Sequence, residues 1–248
     1  MKTYALCNQK GGVGKTTTTL SVGAALAKMG YKVLLIDADP QGNLTISAGI
    51  DLQDGDTTVY EVLKDQVTAK EAVKPGTYDV LPADIALSGA DIELSNIPGR
   101  ELLLKEVLEP IKDEYDYILI DCPPSLSLIT LMALTAADGV IVPVQAHYLA
   151  MQGIKQLTDT INLVKHRMNP QLDVVGVLIT QYGRSKLNKD VLEAIQNAFP
   201  GKVYNTQISN NIALAEAPSY GKDVISYKPK SKGAEQYQAL AKEIIERG

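Results

Sequence analysis

This sequence points to a doubly wound α/β fold, with a mostly parallel sheet flanked by helices on both faces. Short β-rich apolar runs alternate with helix-patterned stretches along the whole chain. The runs are almost continuously apolar, as strands covered on both faces require. The first run passes through glycines directly into the first helical pattern. Right-handed crossovers follow for such a chain, and its ligands are expected at the carboxyl ends of the strands.

In chain order, Tyr4–Cys7 reads as the first strand, Thr16–Met29 as a helix and Val33–Ile36 as the second strand. The polar, Asp-rich stretch Gly49–Thr58 reads as a surface loop, and Val59–Lys64 as a helix. Tyr78–Leu81 is a shorter strand candidate. Glu101–Ile111 is helical in pattern, followed by strand Tyr117–Ile120, helix Leu126–Ala136 and strand Val140–Val144. Helix Met151–Met168, strand Val174–Ile179 and helix Lys189–Asn197 come next. A short strand at Val203–Thr206 and a helix over Ala234–Arg247 complete the pattern. No repeat, low-complexity tract or linker interrupts it, so residues 1–248 are expected to form a single domain.

Composition narrows the function classes. The chain has 248 residues, 45% hydrophobic and 21% charged, which suits a globular core. No apolar run reaches the roughly 20 residues of a spanning helix, and the N-terminal apolar stretch is too short for a signal-peptide core. A cytoplasmic protein is expected. A net charge of −5 argues against a globally basic nucleic-acid binder but leaves room for a local basic patch. Two cysteines, Cys7 and Cys122, cannot supply a disulfide framework or four metal ligands. Cys122 is expected to be a small buried residue rather than a redox or metal group. His147 and His166 stand apart with no carboxylate pattern around them and read as ordinary polar residues, and the 12 tyrosines are scattered and read as core and rim.

Lys10-Gly11-Gly12-Val13-Gly14-Lys15-Thr16-Thr17 lies between the first strand and the first helix. It fits the phosphate-loop spacing G-x-x-x-x-G-K-[ST] except that Gln9 stands at the first glycine position. Glycines let successive N–H groups converge on phosphate oxygens, and the helix start adds its positive end. Lys15 supplies a point charge for the β/γ-phosphates, and the Thr16 hydroxyl is a Mg²⁺ ligand candidate. Lys10 is a second lysine in the loop. Its sharper reading is charge delivered to a nucleotide held by a second subunit; its plainer reading is a solvated lysine.

The second strand runs into Asp37-Ala38-Asp39-Pro40-Gln41-Gly42-Asn43. Two aspartates two residues apart beside a phosphate loop can divide the work, one holding the water or Mg²⁺ shell and the other orienting the attacking water. The strand Tyr117–Ile120 ends in Asp121, which is expected to contact Mg²⁺ through water, and Pro123-Pro124 stiffen the loop after it.

These blocks resemble the ParA/Soj-type partition ATPases, within the deviant-Walker group that includes MinD and the nitrogenase iron protein. The resemblance also rests on Leu214-Ala215-Glu216-Ala217-Pro218-Ser219-Tyr220-Gly221-Lys222 and on Tyr227-Lys228-Pro229-Lys230-Ser231-Lys232-Gly233-Ala234. It implies a homodimer that closes around ATP and Mg²⁺ and separates after hydrolysis. It also implies non-specific DNA binding by that dimer, a ParB-like stimulator, and association with the nucleoid. Lys10 would be the signature lysine, Lys15 the phosphate-loop lysine, Thr16 the Mg²⁺ ligand and Asp39 the water-orienting residue. The family's adenine-contacting run falls on Ile208-Ser209-Asn210-Asn211, making Ser209 and Asn211 the adenine candidates. Asn210 and Ala213 stand where relatives carry arginines, so DNA contact would fall on Arg184, Lys186 and Lys189, or on Lys222, Lys228, Lys230 and Lys232. The alternative is a nucleotide-switched regulatory or cargo-positioning protein that barely touches DNA. With the first strand beginning near residue 3, no N-terminal helix-turn-helix is expected, and the C-terminal helix lacks the basic amphipathic pattern of a membrane anchor.

Overall fold

The computed structural model describes residues 1–146, 150–183 and 185–248, with the backbone alone for 150–153. His147 and Arg184 therefore lie outside the described residues. Six strands, β1 (Lys2–Leu6), β2 (Val33–Asp37), β3 (Asp79–Leu81), β4 (Tyr117–Asp121), β5 (Gly139–Gln145) and β6 (Val174–Thr180), form one sheet in the order β3-β2-β4-β1-β5-β6. Every pairing among them is parallel.

The strands have two buried faces because their side chains alternate between two cores. Leu34, Ile36, Ile118 and Ile120 enter one core with Met132, Leu157, Val164, Val191 and Ile195. These come from the helices Leu128–Ala136, Ala150–Arg167 and Lys186–Ala198. Val33, Leu35, Tyr117 and Leu119 enter the other, with Leu20 and Val22 of the helix Lys15–Lys28 and Tyr237, Leu240 and Ile244 of the helix Lys232–Arg247. The first helix lies close on the sheet: a Cβ at Gly23 would meet Leu35 Cδ2 at 2.5 Å. The expected doubly wound architecture is present, and Gly49–Thr58 is a loop in which only a turn is formed.

Two expected elements differ. Residues 203–206 are not a strand; Val203 makes a single parallel bridge with Val177. The ladder to β6 is made at Tyr204 and again at Ile208, but between them the amides of Asn205 and Thr206 donate to the Glu243 carboxylate at 2.7 and 3.0 Å. A side chain of the C-terminal helix has replaced the strand partner. The helix expected over Glu101–Ile111 is a 3₁₀ turn, Arg100–Leu102, followed by Leu103–Leu108. Pro110 explains its end: Glu109 keeps helical angles, but the proline has no amide with which to continue the helical bonds. The one-turn helices Asn43–Ser47, Ala69–Ala72, Ala90–Glu93, Ile212–Glu216 and Val224–Tyr227 are too short to leave a periodic signal. Among the described residues no helix is long and apolar enough to cross a membrane.

Candidate functional site

β1 ends at Leu6, between the ends of β4 and β5, and the glycine loop rises from that point. Asn8 fixes its root: its amide group donates to the Pro143 carbonyl at 2.7 Å, and its Oδ1 accepts from the Lys10 amide at 3.0 Å. Gly12 and Gly14 adopt φ of 73° and 87°, left-handed backbone that favours glycine. A Cβ at Gly11 or Gly12 would meet nothing within 4 Å, so the space over the loop is open. The loop's carbonyls are turned towards β6. Thr180 Oγ1 donates to the Val13 carbonyl at 2.7 Å, and Gln181 Nε2 donates to the Gly12 carbonyl at 2.7 Å. Among the described residues, the amides of Gly11, Gly12 and Val13 donate to no protein group. A convergent set of free amides with its carbonyls tied back is an anion cradle.

Lys15 stands in that cradle. It is only 7% exposed, and among the described residues the sole acceptor of its ammonium is the Lys10 carbonyl at 3.5 Å. Among the described residues no carboxylate comes within 4.0 Å of its ammonium. A buried cation without a counterion is costly unless an anion joins it.

The acidic side is built by strand register. Asp121 lies opposite both Leu6 and Asp37, so the two carboxylates emerge side by side at the carboxyl edge of β2 and β4. Thr16 Oγ1 donates to Asp121 Oδ2 at 2.6 Å, and Thr19 Oγ1 to Asp121 Oδ1 at 3.4 Å. Burial, then the neighbouring Asp37 charge, pushes the Asp121 carboxyl up to about 8 against the bond from Thr16. Burial also pushes Asp37 up to about 6, although the bonds from Thr45 and the Asp39 amide pull it down. The fit to a divalent cation is direct, since this site needs positive charge. Among the described residues no three His, Cys, Asp or Glu side chains converge on a point.

Asp37 and Asp39 differ in setting. Asp37 is fully buried and holds the turn together, accepting from the Thr45 amide and hydroxyl at 2.8 Å each and from the Asp39 amide at 3.1 Å. Among the described residues the Asp39 carboxylate accepts only from the Gln41 amide, at 3.0 Å through Oδ1, and its Oδ2 accepts from no protein group. Lys10 is half-buried, and its ammonium rests 3.4 Å from Gln145 Oε1. Gln145 Nε2 in turn donates to Gln181 Oε1 at 2.8 Å. Lys10 is thus parked on a neutral amide.

A cavity of about 280 Å³ opens beside the loop, with Gly14, Thr17, Ser209, Asn211 and Tyr237 in its walls. The two adenine candidates are therefore together and next to the loop. Ser209 contributes wall rather than donors, because its amide and hydroxyl both donate to Gln236 Oε1 at 3.1 Å. Asn211 uses Oδ1 to cap the next helix at the Ala213 amide and retains its side-chain NH₂. Larger cavities, about 590 and 420 Å³, lie away from the loop, beside Val62 and Leu103 and beside Tyr31 and Tyr78.

Lys186, Lys189, Lys222, Lys228, Lys230 and Lys232 are all exposed, and none pairs with a carboxylate among the described residues. Lys222 lies on the wall of a small cavity that Thr17 also lines, so one cluster adjoins the phosphate-loop helix. His166 is exposed, and Cys122 is buried, as expected. Tyr4, Tyr117, Tyr204 and Tyr237 are core residues.

The AAA domain family model matches residues 1–174. The sporulation initiation inhibitor protein Soj of Bacillus subtilis (strain 168) is 49% identical over 251 residues, covering 100% of this chain and 99% of Soj. The chain belongs to the ParA/Soj family. The chromosome partitioning protein ParA of Caulobacter vibrioides (strain NA1000 / CB15N) is 45% identical over 254 residues, covering 100% of this chain and 95% of that protein. Among solved structures, cobyrinic acid a,c-diamide synthase from Mycobacterium smegmatis, with bound ATP analog and magnesium, superposes with a TM-score of 0.87 at 39% identity. That match covers 99% of this chain and 94% of the other.

In this ParA/Soj chain, the motif residues are supported by others that sequence reading passed over: Asn8, Thr19, Thr45, Gln145, Thr180 and Gln181. A signal existed for three of them. Gln145, Thr180 and Gln181 close or follow strands at the carboxyl edge, where ligands of such sheets bind. Thr19 and Thr45 carried none, because their role depends on which strands lie side by side.

Proposed function

We propose that this protein is an ATP-hydrolysing molecular switch. It closes as a homodimer around ATP and Mg²⁺, binds DNA without sequence preference in that state, and takes part in chromosome or plasmid partitioning with a ParB-like stimulator. One observation carries the reading: Lys15 holds a buried ammonium with no carboxylate within 4.0 Å among the described residues, inside a glycine cradle whose amides face open space. A polyanion completes that arrangement. The names of the Soj and ParA relatives, matched over essentially the whole chain, support a partitioning role.

The chain's own groups divide the work. The amides of residues 11–14 and the Lys15 ammonium bind the phosphates. Thr16 Oγ1 and, through water, Asp121 would hold Mg²⁺, with Asp37 behind them; the ion would neutralise charge on the phosphates. Asp39 presents its free oxygen to orient the attacking water. Lys10 leaves Gln145 to reach the nucleotide of a second protomer, adding positive charge where it develops during transfer. Ser209 and Asn211 flank the base. Lys186 and Lys189, with Lys222, Lys228 and Lys230, present exposed ammonium groups to DNA phosphates.

Ala213 favours the second reading, a switch with little DNA affinity. It is 3% exposed, so its place gives no outward cation, and Asn210 gives none either. Dimerisation and DNA retention, measured together with Mg²⁺–ATP on wild type and Asp39→Ala, test both. A salt-sensitive, ATP-dependent complex supports the partitioning switch. Dimers that ignore DNA at low salt favour the regulatory switch, and a monomer under blocked turnover rejects both.

A further inference from the structure

Cys7 and Cys122 hold their sulfurs 2.8 Å apart. They follow the paired strand ends Leu6 and Asp121, and the backbone ladder continues through them. The Cys122 amide donates to the Leu6 carbonyl at 3.3 Å, and the Cys7 amide to the Ile141 carbonyl at 3.2 Å. Both thiols are free, buried and part of the same core face. A disulfide needs sulfurs about 2.05 Å apart and Cα atoms about 4.4–6.8 Å apart, and neighbouring strands lie about 4.8 Å from each other. The bond can therefore close through a sulfur movement of less than about 1 Å, with the strands in place.

We propose that this pair is an oxidisable dithiol site that takes a peroxide-class oxidant and closes into an intramolecular disulfide. One sulfur attacks a peroxide oxygen, the O–O bond breaks, and a sulfenic acid forms while one water leaves with that thiol's proton. The second sulfur then displaces the hydroxyl from the sulfenic sulfur, and a second water leaves with the second thiol's proton. Two thiols lose two electrons, and one hydrogen peroxide becomes two waters. A small neutral oxidant suits thiols this buried, where a glutathione-sized disulfide would be excluded.

The bond would join two stems that work the site. Cys7 precedes Asn8, which anchors the Lys10 amide, and Cys122 lies between Asp121 and Pro123. Cross-linking them fixes the root of the glycine loop to the loop after Asp121. The consequence for turnover rests on the ATPase reading above; the cross-link does not.

The test treats the full-length, reduced protein with hydrogen peroxide and maps its peptides without reductant. The expected result is a linked species carrying Cys7 and Cys122, 2 Da lighter than the sum of its peptides, with no free thiol after denaturation and full reversal by dithiothreitol. Two surviving thiols, or separate oxygen adducts on each cysteine, overturn the proposal. ATP turnover should fall at least fivefold in the linked protein, return with dithiothreitol, and stay unchanged in peroxide-treated Cys7→Ala. Full cross-linking with unaltered turnover overturns the locking role. No turnover in the reduced protein instead counts against the ATPase reading and leaves the mass result to decide the dithiol.

Discussion

Asp37 and Asp121 end adjacent parallel strands directly opposite each other, and both are fully buried. Among the described residues no cationic side chain lies within 4.0 Å of either carboxylate, so the pair carries a charge conflict. Burial raises both carboxyls, Asp37 to about 6 and Asp121 to about 8, and the Asp37 charge adds to the rise at Asp121.

That burial sets a pH dependence. A carboxyl whose folded value lies above its unfolded one binds its proton more tightly in the folded state. The stability it contributes is complete below the unfolded value, near 3.8, and is lost as pH rises towards about 8. Nucleotide-free protein should therefore lose stability between about pH 4 and 8, and Asp121→Asn should flatten that slope. At pH 8 the variant should be more stable by on the order of 1–2 kcal/mol. Thermal melts across pH check this; an Asp121→Asn variant that melts lower at pH 8 contradicts it.

Lys15 presents the opposite case, a cation awaiting its anion. Lys15→Ala should weaken ATP binding by at least about 100-fold, roughly 3 kcal/mol, which is the scale of one charge-assisted hydrogen bond in a desolvated site. Lys15→Met should leave the nucleotide-free protein equally stable or more so, because burying an unpaired ammonium costs free energy. Titration with a fluorescent ATP analogue and urea unfolding measure the two effects separately.

Lys10 and Asp39 should separate binding from later steps. Lys10→Ala is expected to bind ATP within about threefold of wild type, under 1 kcal/mol, yet fail to form a stable dimer. Asp39→Ala should form the dimer and keep it, with turnover reduced at least about tenfold, or 1.4 kcal/mol in barrier. Light scattering with Mg²⁺–ATP, alongside phosphate release, distinguishes these outcomes. Rapid turnover by Asp39→Ala would assign the water-orienting role elsewhere.

The exposed lysines should act through salt-dependent phosphate contacts. Reversing Lys222 and Lys228 to Glu should lower ATP-dependent DNA retention and reduce the slope of log affinity against log salt by about 2. An unchanged slope would return this cluster to a solvated face.

Gly176 tests the fold beside the site. A Cβ there would lie 2.2 Å from the Tyr204 ring, which also carries the Arg247 guanidinium at 4.6 Å from its centroid. Gly176→Ala should cost about 1–3 kcal/mol by overpacking. Urea unfolding measures it, and a neutral result would show that the segment at 202–209 yields easily.

Much of the fold is legible in the residues alone. The strands are apolar on both faces, so their existence and parallel pairing follow from composition and spacing. The short spacing from Lys10 to Thr17 is legible because a phosphate loop is a local structure, one strand end and one helix start. Long-range competition hides the rest. The stretch at 203–206 has strand-like residues, but Glu243, 38 positions beyond Asn205, takes two of its amides.

The alternation of strands and helices, the glycine loop with its two lysines, and the strand-end aspartates are each written in neighbouring residues, and no packing was needed to read them. The packed fold alone established that Asp121 sits against Thr16 and opposite Asp37, that Gln181 and Thr180 hold the loop's carbonyls, and that Cys7 meets Cys122. Those pairings span strands brought together by sheet order, and sheet order is set by how whole faces pack rather than by any short run of sequence.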